Sequence, residues 1–519
     1  MIEKYLNNRF VIVYITPFVL GLIATLSFSP FNLTIINFFI FPLIFFLLSH
    51  INKKSKSVYR KRPYKKNFFL FGLLFGFGFY LSGISWITNS LTHDENFKIL
   101  IPFALVLLPL FLSLFLAFAF LIIGPYLKLD LPSLIIFILS LAIADFVRAN
   151  ILTGFPWNLW AYSTTWAIEI MQILNKIGLH AYNLLLITFF ILPIFFFFNI
   201  SLIKKLIIFT ISGTIILGLF IFGNYEINQN KKLLKNIDEK IFVKIISPNF
   251  DLEYDLSNIE IEKRFKKLIR YSEPEKNKKT LFIWPEGVFS GYSYDEVLIF
   301  KSLISNNFSE KHHIIFGSNT LGLNSSQYYN SMLLVDNNFE IIQSYNKKKL
   351  VPFGEFLPFE TILKKIGLKK ITEGHGSFLQ GTNEKNILID KLKILPLICY
   401  EIIFSELIQK SDMNTNLIIN ISEDGWFGKT IGPHQHFVKS IYRAIENDTF
   451  VLRSANKGVS AIIDNKGNII KRLNQNEAGN IELEVPLLKS NKIKNDLIFF
   501  VLLITYLFIF LIYKKKNAK

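Results

Sequence analysis

The chain has 519 residues, of which 51% are hydrophobic and 54 are phenylalanine, and its formal net charge is +18. One water-soluble core of ordinary composition does not need this much apolar surface, so part of the chain is expected to face lipid. The lysines and arginines form short runs beside apolar stretches, which is typical of membrane-flanking segments and disfavours a nucleic-acid-binding protein.

The first 224 residues alternate long apolar stretches with short polar loops. Each stretch approaches the roughly 20 residues that cross a bilayer. With one more stretch near the end of the chain, eight transmembrane helices are predicted, at 10–28, 33–50, 68–90, 99–123, 131–147, 180–198, 204–223 and 495–513. Because no convincing cleavage site follows Lys4 and Arg9, the first helix is expected to be retained rather than removed as a signal peptide.

The basic residues indicate the orientation of these helices. Lysine and arginine runs at 53–66, 204–205 and 514–516 follow the second, sixth and eighth helices, whereas the loops after the first, third and fifth carry few. Short basic loops stay in the cytoplasm. Both termini are therefore expected to be cytoplasmic, and residues 225–490 are expected on the outer side. The predicted domains are 1–224 (seven membrane helices), 225–490 (soluble) and 491–519 (last helix and basic tail).

Within 225–490, short β-branched runs alternate with stretches of helical spacing. Strands are predicted at 241–246, 280–284, 313–317, 331–335, 340–345, 394–399, 417–421, 450–454 and 460–464, and helices at 261–271, 294–305, 402–410 and 436–447. This pattern predicts an α/β layered domain with a mostly buried sheet.

Three reactive side chains, those of Glu286, Lys347 and Cys399, stand at or just beyond the ends of predicted strands. A base can convert a thiol to a thiolate, and a fixed cation can hold the oxyanion of a tetrahedral intermediate. Taken singly, each has an ordinary structural explanation: Cys399 as core filler, Glu286 in a solvated turn and Lys347 in a solvated charge run. Together they favour a site for covalent catalysis.

Longer motifs surround these residues. They are Trp-Pro-Glu at 284–286, the segment 345–355, Cys-Tyr-Glu at 399–401, Trp-Phe-Gly at 426–428, and the segments 432–436, 443–444, 154–157 and 85–86. The motifs resemble the nitrilase superfamily and, within it, the apolipoprotein N-acyltransferase family. The resemblance implies a polytopic helical membrane domain joined to a nitrilase-like αββα sandwich.

The resemblance also implies roles for four residues. Cys399 matches the nucleophile, Glu286 the general base and Lys347 the oxyanion stabiliser of the family. Glu355 matches a second acid that positions Lys347 or a proton. The activity implied is a two-step transfer of an acyl chain from a phospholipid, through a cysteine thioester, to the α-amine of the N-terminal S-diacylglyceryl cysteine of a lipoprotein in the bacterial inner membrane.

Further residues of the motifs are candidates for substrate contact. Tyr400 and Glu401 resemble loop residues that shape acyl or acceptor binding, with a structural turn as the alternative. Tyr254, Phe353 and Trp426 are possible substrate contacts, although core packing explains the aromatic residues equally well. The segment 422–425 departs from the family, because Ser-Glu-Asp-Gly stands where Asn-Asp-Ala usually precedes the tryptophan.

No cofactor and no metal are expected. The histidine spacings at 312–313 and 434–436 match no known helical metal pair, and Cys399 is the only cysteine. The expected partners are a phospholipid, a diacylglyceryl-modified apolipoprotein and the bilayer. Two alternatives are a membrane-tethered amidase that releases ammonia, and a scaffold or transporter, which the scarcity of ionisable residues in the spans disfavours.

Overall fold

The computed structural model describes residues 2–58, 63–254, 256–322, 327–363, 377–382, 386–409, 415–490 and 496–518. The chain divides into two compact units. Unit 1 consists of Met1–Tyr225 with Lys494–Lys519, and unit 2 of Glu226–Ile493.

Unit 1 is helical. Its helices are α1 Ile2–Asn7, α2 Thr16–Ala24, α3 Asn37–Val58, α4 Pro63–Ile84, α5 Ile101–Ile123, α6 Leu131–Asn150, α7 Ile168–Met171, α8 Leu174–Ile177, α9 Leu179–Phe190, α10 Leu202–Lys235 and the C-terminal helix Asp496–Ala518. Local sequence fixes the ends of several of them. The carboxylate of Asp130, for example, accepts a hydrogen bond from the amide of Ser133 at 2.9 Å and caps α6, with Pro132 in the first turn.

Among the described residues, seven helical segments are long and apolar enough to cross a bilayer: Thr34–Lys54, Tyr64–Thr92, Glu95–Tyr126, Leu131–Asn150, Leu179–Phe197, Leu202–Lys235 and Leu497–Lys515. They coincide with seven of the eight predicted spans. The first predicted span corresponds to Val11–Ser27, an apolar helical segment that is shorter than the others. The count of eight therefore stays a prediction.

A buried ion pair lies inside unit 1. Arg148 Nη2 is 3.0 Å from Asp145 Oδ1, and both side chains are almost fully buried. The amide of Asn183 donates to the other oxygen of Asp145 at 2.9 Å, and Arg148 also donates to the carbonyl of Phe155. Because each charged atom has partners, this pair joins α6 to α9 and to the loop after α6.

Unit 2 contains two six-stranded sheets. The strands are β1 Lys240–Ser247, β2 Thr280–Ile283, β3 His312–Leu321, β4 Tyr328–Val335, β5 Ile341–Asn346, β6 Ile387–Ile389, β7 Leu392–Ile398, β8 Leu417–Glu423, β9 Phe450–Asn456, β10 Ser460–Ile463, β11 Ile469–Leu473 and β12 Gly479–Pro486.

The sheet orders are β12-β1-β2-β3-β4-β5 and β11-β10-β9-β8-β7-β6. The central strands β1, β2 and β3 run parallel, as do β7, β8 and β9. Alternate residues of both sheets, such as Ile283 and Ile419, form one apolar core, and residues of the opposite face of the first sheet pack with α11 in a second core. The α/β class predicted from the sequence is confirmed.

The helices of unit 2 are α11 Asn258–Ser272, α12 Tyr294–Val297, α13 Lys301–Asn307, α14 Glu360–Leu363, α15 Ser405–Gln409 and α16 Gly432–Asn447. The single helix predicted at 402–410 is wrong at its start, because Phe404 has extended backbone and separates a 3-10 turn from α15. Lys410, where that helix was expected to end, lies outside the described residues. The helix predicted at 294–305 is divided into α12 and α13 by a 3-10 turn.

Candidate active site

Cys399 follows β7 and begins the 3-10 turn Cys399–Ile403. Its φ angle of 47° lies in the left-handed region, which costs a residue with a side chain roughly 1–2 kcal/mol. Backbone strain of this kind is frequent at functional sites. The strand predicted at 394–399 therefore ends one residue early, and the thiol lies at a sharp turn.

The surroundings of the thiol keep it protonated at rest. Burial raises the pKa of the Cys399 thiol, the charge of Glu286 raises it further, and the charge of Lys347 lowers it. The net direction is upward. A base is therefore required to form the thiolate that attacks a carbonyl.

Glu286 lies beyond the end of β2, and 8% of the residue is exposed. Its Oε1 accepts a hydrogen bond from the amide of Asn330 at 2.8 Å and lies 3.4 Å from Lys347 Nζ. Its Oε2 accepts from the backbone amide of Glu423 at 3.0 Å. The carboxylate is thus held by hydrogen bonds on both oxygens, and its charge acts on the thiol of Cys399.

Lys347 follows β5 and is buried between two carboxylates. Its Nζ lies 2.8 Å from Glu355 Oε1 and 3.4 Å from Glu286 Oε1. Burial acts to lower the pKa of Lys347, but the charges of Glu286 and Glu355 outweigh it and raise the pKa above its ordinary value. The side chain therefore stays a cation, as stabilisation of an oxyanion requires.

Glu355 and Asn330 complete this cluster. Glu355 Oε2 accepts from the amide of Val351 at 2.9 Å, which fixes the loop after Lys347. The Asn330 amide nitrogen donates to both Glu286 and Glu355 at 2.8 Å. The structure therefore brings Glu286 and Glu355 together at the Asn330 amide, with Lys347 between them. The charges of Glu286 and Lys347 also act on the thiol of Cys399.

Glu401 is fully buried and accepts four hydrogen bonds. Its Oε1 accepts from the hydroxyl of Tyr345 at 2.9 Å and from the amides of Lys348 at 2.7 Å and Lys349 at 3.1 Å. Its Oε2 accepts from the amide of Ile398 at 2.8 Å. These contacts tie the segment after β5 to the end of β7, so they position the backbone around both Lys347 and Cys399. A role in acyl or acceptor binding stays a prediction.

Of the four aromatic candidates, two line a cavity beside Glu286 and two do not. Tyr400 is buried, and its ring packs edge-on against Phe404 at 5.0 Å. The rings of Tyr254 and Trp426 lie 6.0 Å apart and both line a cavity that reaches Glu286. Phe353 is 46% exposed and is absent from the lining of that cavity.

A second group of buried polar side chains contacts the backbone of Cys399. His436 Nε2 lies 3.2 Å from the carbonyl oxygen of Cys399, and His436 Nδ1 lies 3.0 Å from Asp424 Oδ1. Arg453 donates to Asp424 Oδ2 at 2.7 Å. All three charged or titratable side chains are buried, and the pKa of Asp424 lies below its ordinary value because the charges of Arg453 and His436 outweigh its burial.

Sequence reasoning missed Asn330, Glu423 and the group around His436 as parts of the site. Signals for some of them were present: Asn330 is polar within an apolar strand, and Arg453 is charged within another. Glu423 was noted only as a departure from the family pattern. The sequence alone does not show which distant segments pair. Arg453, for example, contacts Asn420, which lies 33 residues earlier in the chain.

Comparison with known proteins covers both units. Residues 20–192 match the family model for the apolipoprotein N-acyltransferase N-terminal domain, and residues 253–494 match the model for carbon-nitrogen hydrolases. The apolipoprotein N-acyltransferase of Rickettsia typhi is 31% identical over 509 residues, covering 96% of this chain and 97% of its own. That of Brucella melitensis is 30% identical over 489 residues, covering 90% and 89%.

The chain belongs to the apolipoprotein N-acyltransferase family. Among solved structures, Saccharomyces cerevisiae Nit3, a member of branch 10 of the nitrilase superfamily, covers 48% of this chain and 91% of its own, with 17% identity and a TM-score of 0.36. Like other apolipoprotein N-acyltransferases, this family member is an acyltransferase with membrane-spanning helices and a carbon-nitrogen hydrolase domain.

Within the part of this apolipoprotein N-acyltransferase that the structure describes, no group of three or more histidine, cysteine, aspartate or glutamate side chains could hold a metal ion. Catalysis without a metal or cofactor remains a prediction. The groups present are a thiol, carboxylates and a buried lysine, and acyl transfer through a thioester needs a nucleophile, a base and a stabiliser of the oxyanion.

Proposed function

We propose that the protein transfers an acyl chain from a phospholipid to the α-amine of the N-terminal S-diacylglyceryl cysteine of an apolipoprotein, the last step of lipoprotein maturation. Membership of the family supports this function. The observation that carries the mechanism is the placement of the Lys347 ammonium between Glu286 and Glu355, beside the thiol of Cys399.

The first half of the proposed reaction makes an acyl-enzyme. Glu286 takes the proton of the Cys399 thiol, and the sulfur attacks the ester carbonyl of the phospholipid. The charge that develops on the carbonyl oxygen is stabilised by Lys347. The ester C–O bond then breaks, Glu286 returns the proton to the departing oxygen, and a lysophospholipid leaves.

The second half consumes the thioester. The neutral α-amine of the acceptor attacks the thioester carbonyl, and Glu286 takes a proton from the attacking nitrogen. The C–S bond breaks, an amide forms, and the proton passes from Glu286 to the sulfur of Cys399. The two halves share one base and one oxyanion cation, so ping-pong kinetics are expected.

The proposed location follows from the membrane segments. We place residues 1–224 and 491–519 in the bacterial inner membrane, residues 225–490 with the catalytic site on the periplasmic side, and both termini in the cytoplasm. The long apolar helices support membrane insertion, and the basic loops support this orientation. Both lipid substrates would then reach the site from the same membrane.

The test is the intact mass of the detergent-purified protein after incubation with phospholipid alone. Because Cys399 is the only cysteine, a hydroxylamine-labile acyl adduct identifies that residue, and Cys399→Ala is expected to lack it. Adding a diacylglyceryl lipopeptide with a free α-amine should discharge the adduct into an amide. Absence of any adduct on the folded native protein would overturn the mechanism, and discharge to free fatty acid at the same rate without lipopeptide would indicate a hydrolase.

A further inference from the structure

A cavity lies beside the catalytic carboxylates in unit 2. Its wall includes Glu286, Glu355 and Glu423, the aromatic residues Tyr254 and Trp426, and Ser318. Three glutamate residues therefore line one cavity. A cation is the ligand that such a wall attracts, provided that the protein does not already neutralise the charges.

The protein neutralises only part of this charge. Lys347 lies between Glu286 and Glu355 and balances one of these two carboxylates. For Glu423, no lysine, arginine or histidine nitrogen within the described ranges lies at ion-pair distance. Lys457 Nζ lies 2.6 Å from Asp251 Oδ1 and pairs with that carboxylate instead of Glu423. Glu423 is thus a carboxyl group of the cavity wall without an ion-pair partner in the described ranges, and the charge of Arg264, which pairs with Glu253, acts on it from outside the lining.

Glu423 is held rigidly at the end of β8. Its Oε1 accepts from the amide of Gly425 at 2.8 Å, and its Oε2 accepts from the side-chain amide of Asn456 at 2.8 Å. Only 3% of the residue is exposed. Gly287, with a φ of 69°, lies so close that an added Cβ would be 3.0 Å from Glu423 Oε2. Each oxygen keeps a lone pair that these contacts do not use.

A second observation, independent of the acidic residues, points to a ligand in the same cavity. Ser318 lines the cavity, is 8% exposed, and its hydroxyl has no hydrogen-bond partner among the residues that the structure describes. A buried hydroxyl without a hydrogen-bond partner is unfavourable, so a ligand group that pairs with it stabilises the complex. A substrate that carries a polar group next to a cationic group would pair with both the hydroxyl of Ser318 and the carboxylate of Glu423.

We propose that this cavity is a subsite for a primary ammonium group of a substrate, with Glu423 as its counter-charge and Ser318 as a hydrogen-bonding partner for the neighbouring part of the same substrate. The inference rests on the proposed function. Tyr254 and Trp426 add aromatic faces, which also attract an ammonium. Glu423 is a binding and specificity residue here, since the general base is Glu286.

Two substrates of the proposed reaction carry this chemistry. One is the acceptor, whose α-ammonium is followed by peptide amides and gives one proton to solvent before the neutral amine attacks the thioester. The other is a phospholipid donor with an ethanolamine headgroup. Burial raises the pKa of Glu423 well above its ordinary range, and the charges of Glu286 and Asp424 raise it further. A bound ammonium has the opposite effect and favours the charged carboxylate.

The experiment uses the full-length protein in detergent and the variants Glu423→Gln and Ser318→Ala. Acyl-adduct formation is measured with an ethanolamine-headgroup and a glycerol-headgroup phospholipid of the same chains. Transfer is measured from the isolated acyl-enzyme to a diacylglyceryl lipopeptide at varied concentration. The control is Glu340→Gln, which removes an exposed carboxylate from the same unit outside the cavity lining.

Glu423→Gln is expected to raise the half-saturating concentration of the ammonium-bearing substrate roughly tenfold, with the maximal rate nearly unchanged, because a ground-state contact is lost. A rise for the lipopeptide alone assigns the subsite to the acceptor, and a rise for the ethanolamine donor alone assigns it to the donor. Ser318→Ala should affect the same substrate, and Glu340→Gln should affect neither.

Two results would overturn the proposal: no change in either half-reaction, or equal slowing with ethanolamine donor, glycerol donor and lipopeptide, which indicates a structural role. If Glu423→Gln does not fold, Ser318→Ala decides between the same outcomes. Failure of the proposed function is separate, because the native protein would then form no adduct or would not transfer it to the lipopeptide.

Discussion

The ammonium of Lys347 lies 2.8 Å from Oε1 of Glu355, closer than the 3.4 Å that separates it from Oε1 of Glu286. The shorter contact is with the carboxylate that is not assigned as the base. Glu355 therefore makes the closer contact with the cation, while Oε2 of Glu286 accepts from the backbone amide of Glu423. This division of roles can be tested with isosteric substitutions.

Glu355→Gln should slow formation of the acyl adduct by roughly 100-fold, because Lys347 loses its nearest anion and with it a fixed position for the oxyanion. The measurement is the single-turnover rate of adduct formation by intact mass. Glu340→Gln, which changes an exposed carboxylate of the same unit, is the control. Equal rates for native protein and Glu355→Gln would refute the positioning role.

Tyr345→Phe should lower the stability of the protein. The hydroxyl of Tyr345 is one of four donors to the buried carboxylate of Glu401, and a hydrogen bond to a charged group contributes roughly 1.5–3 kcal/mol. The midpoint of thermal unfolding in detergent measures the loss. Tyr329→Phe, half-buried on the neighbouring strand β4, should change the midpoint much less, and equal shifts would contradict the assignment.

His436 makes stability depend on pH in a defined direction. Burial lowers the pKa of His436 below its ordinary value of 6.5, and the charge of Arg453 lowers it further. The unfolded chain therefore binds more protons than the folded chain once the pH falls below 6.5, so the free energy of unfolding decreases there. Above pH 6.5 His436 is neutral in both the folded and the unfolded chain, so its contribution to the free energy of unfolding is constant.

His436→Gln should make the unfolding midpoint less dependent on pH between 6.5 and the lowered pKa of His436. The variant should also slow acyl-adduct formation at neutral pH, since the contact with the Cys399 carbonyl is altered. Thermal unfolding is followed over this range for both proteins. His93→Gln, an exposed substitution, serves as control, and parallel curves for native protein and His436→Gln would disprove the linkage.

Arg148→Met should destabilise unit 1 by about 3–5 kcal/mol, because it leaves the carboxylate of Asp145 buried without its counter-charge. The double variant Asp145→Asn with Arg148→Met should lie closer to the native protein than Arg148→Met alone. Unfolding midpoints in detergent give the comparison, with Arg9→Met as the exposed control. A double variant less stable than either single variant would argue against charge burial as the cause.

Much of the fold was predictable because strong local signals carry it. Long apolar stretches located seven membrane-length helices, and apolar runs located the central strands of both sheets. The three strands that were missed are edge strands: β6 is three residues long, β11 is exposed along most of its length, and most residues of β12 are not fully buried. Their mixed sequences resemble loops, and only pairing with a neighbour makes them strands.

The residues of the site likewise divide into those that a local sequence pattern reveals and those that only distant contacts reveal. Glu286, Lys347 and Cys399 could be selected because each interrupts or ends an apolar run within a motif. Asn330 stands out as a polar residue in an apolar strand, but neither it nor Glu423 could be assigned to the site, because their contacts with Glu286 cross 44 and 137 residues of sequence. Nor does any local pattern reveal that Cys399 has left-handed backbone. That conformation results from the contacts around the turn.

The four hydrogen bonds of Glu401 have a consequence for how this site can change. The segment after β5 and the end of β7 lie in different sheets, yet one carboxylate spans them and sets the local distance between Lys347 and Cys399. Apolar residues between the sheets can then be exchanged for others over evolution, provided that their total volume is conserved. Such exchanges need not alter the distance between the Lys347 ammonium and the Cys399 sulfur. Transplanting this chemistry to another scaffold would likewise require Glu401 and both segments to move together.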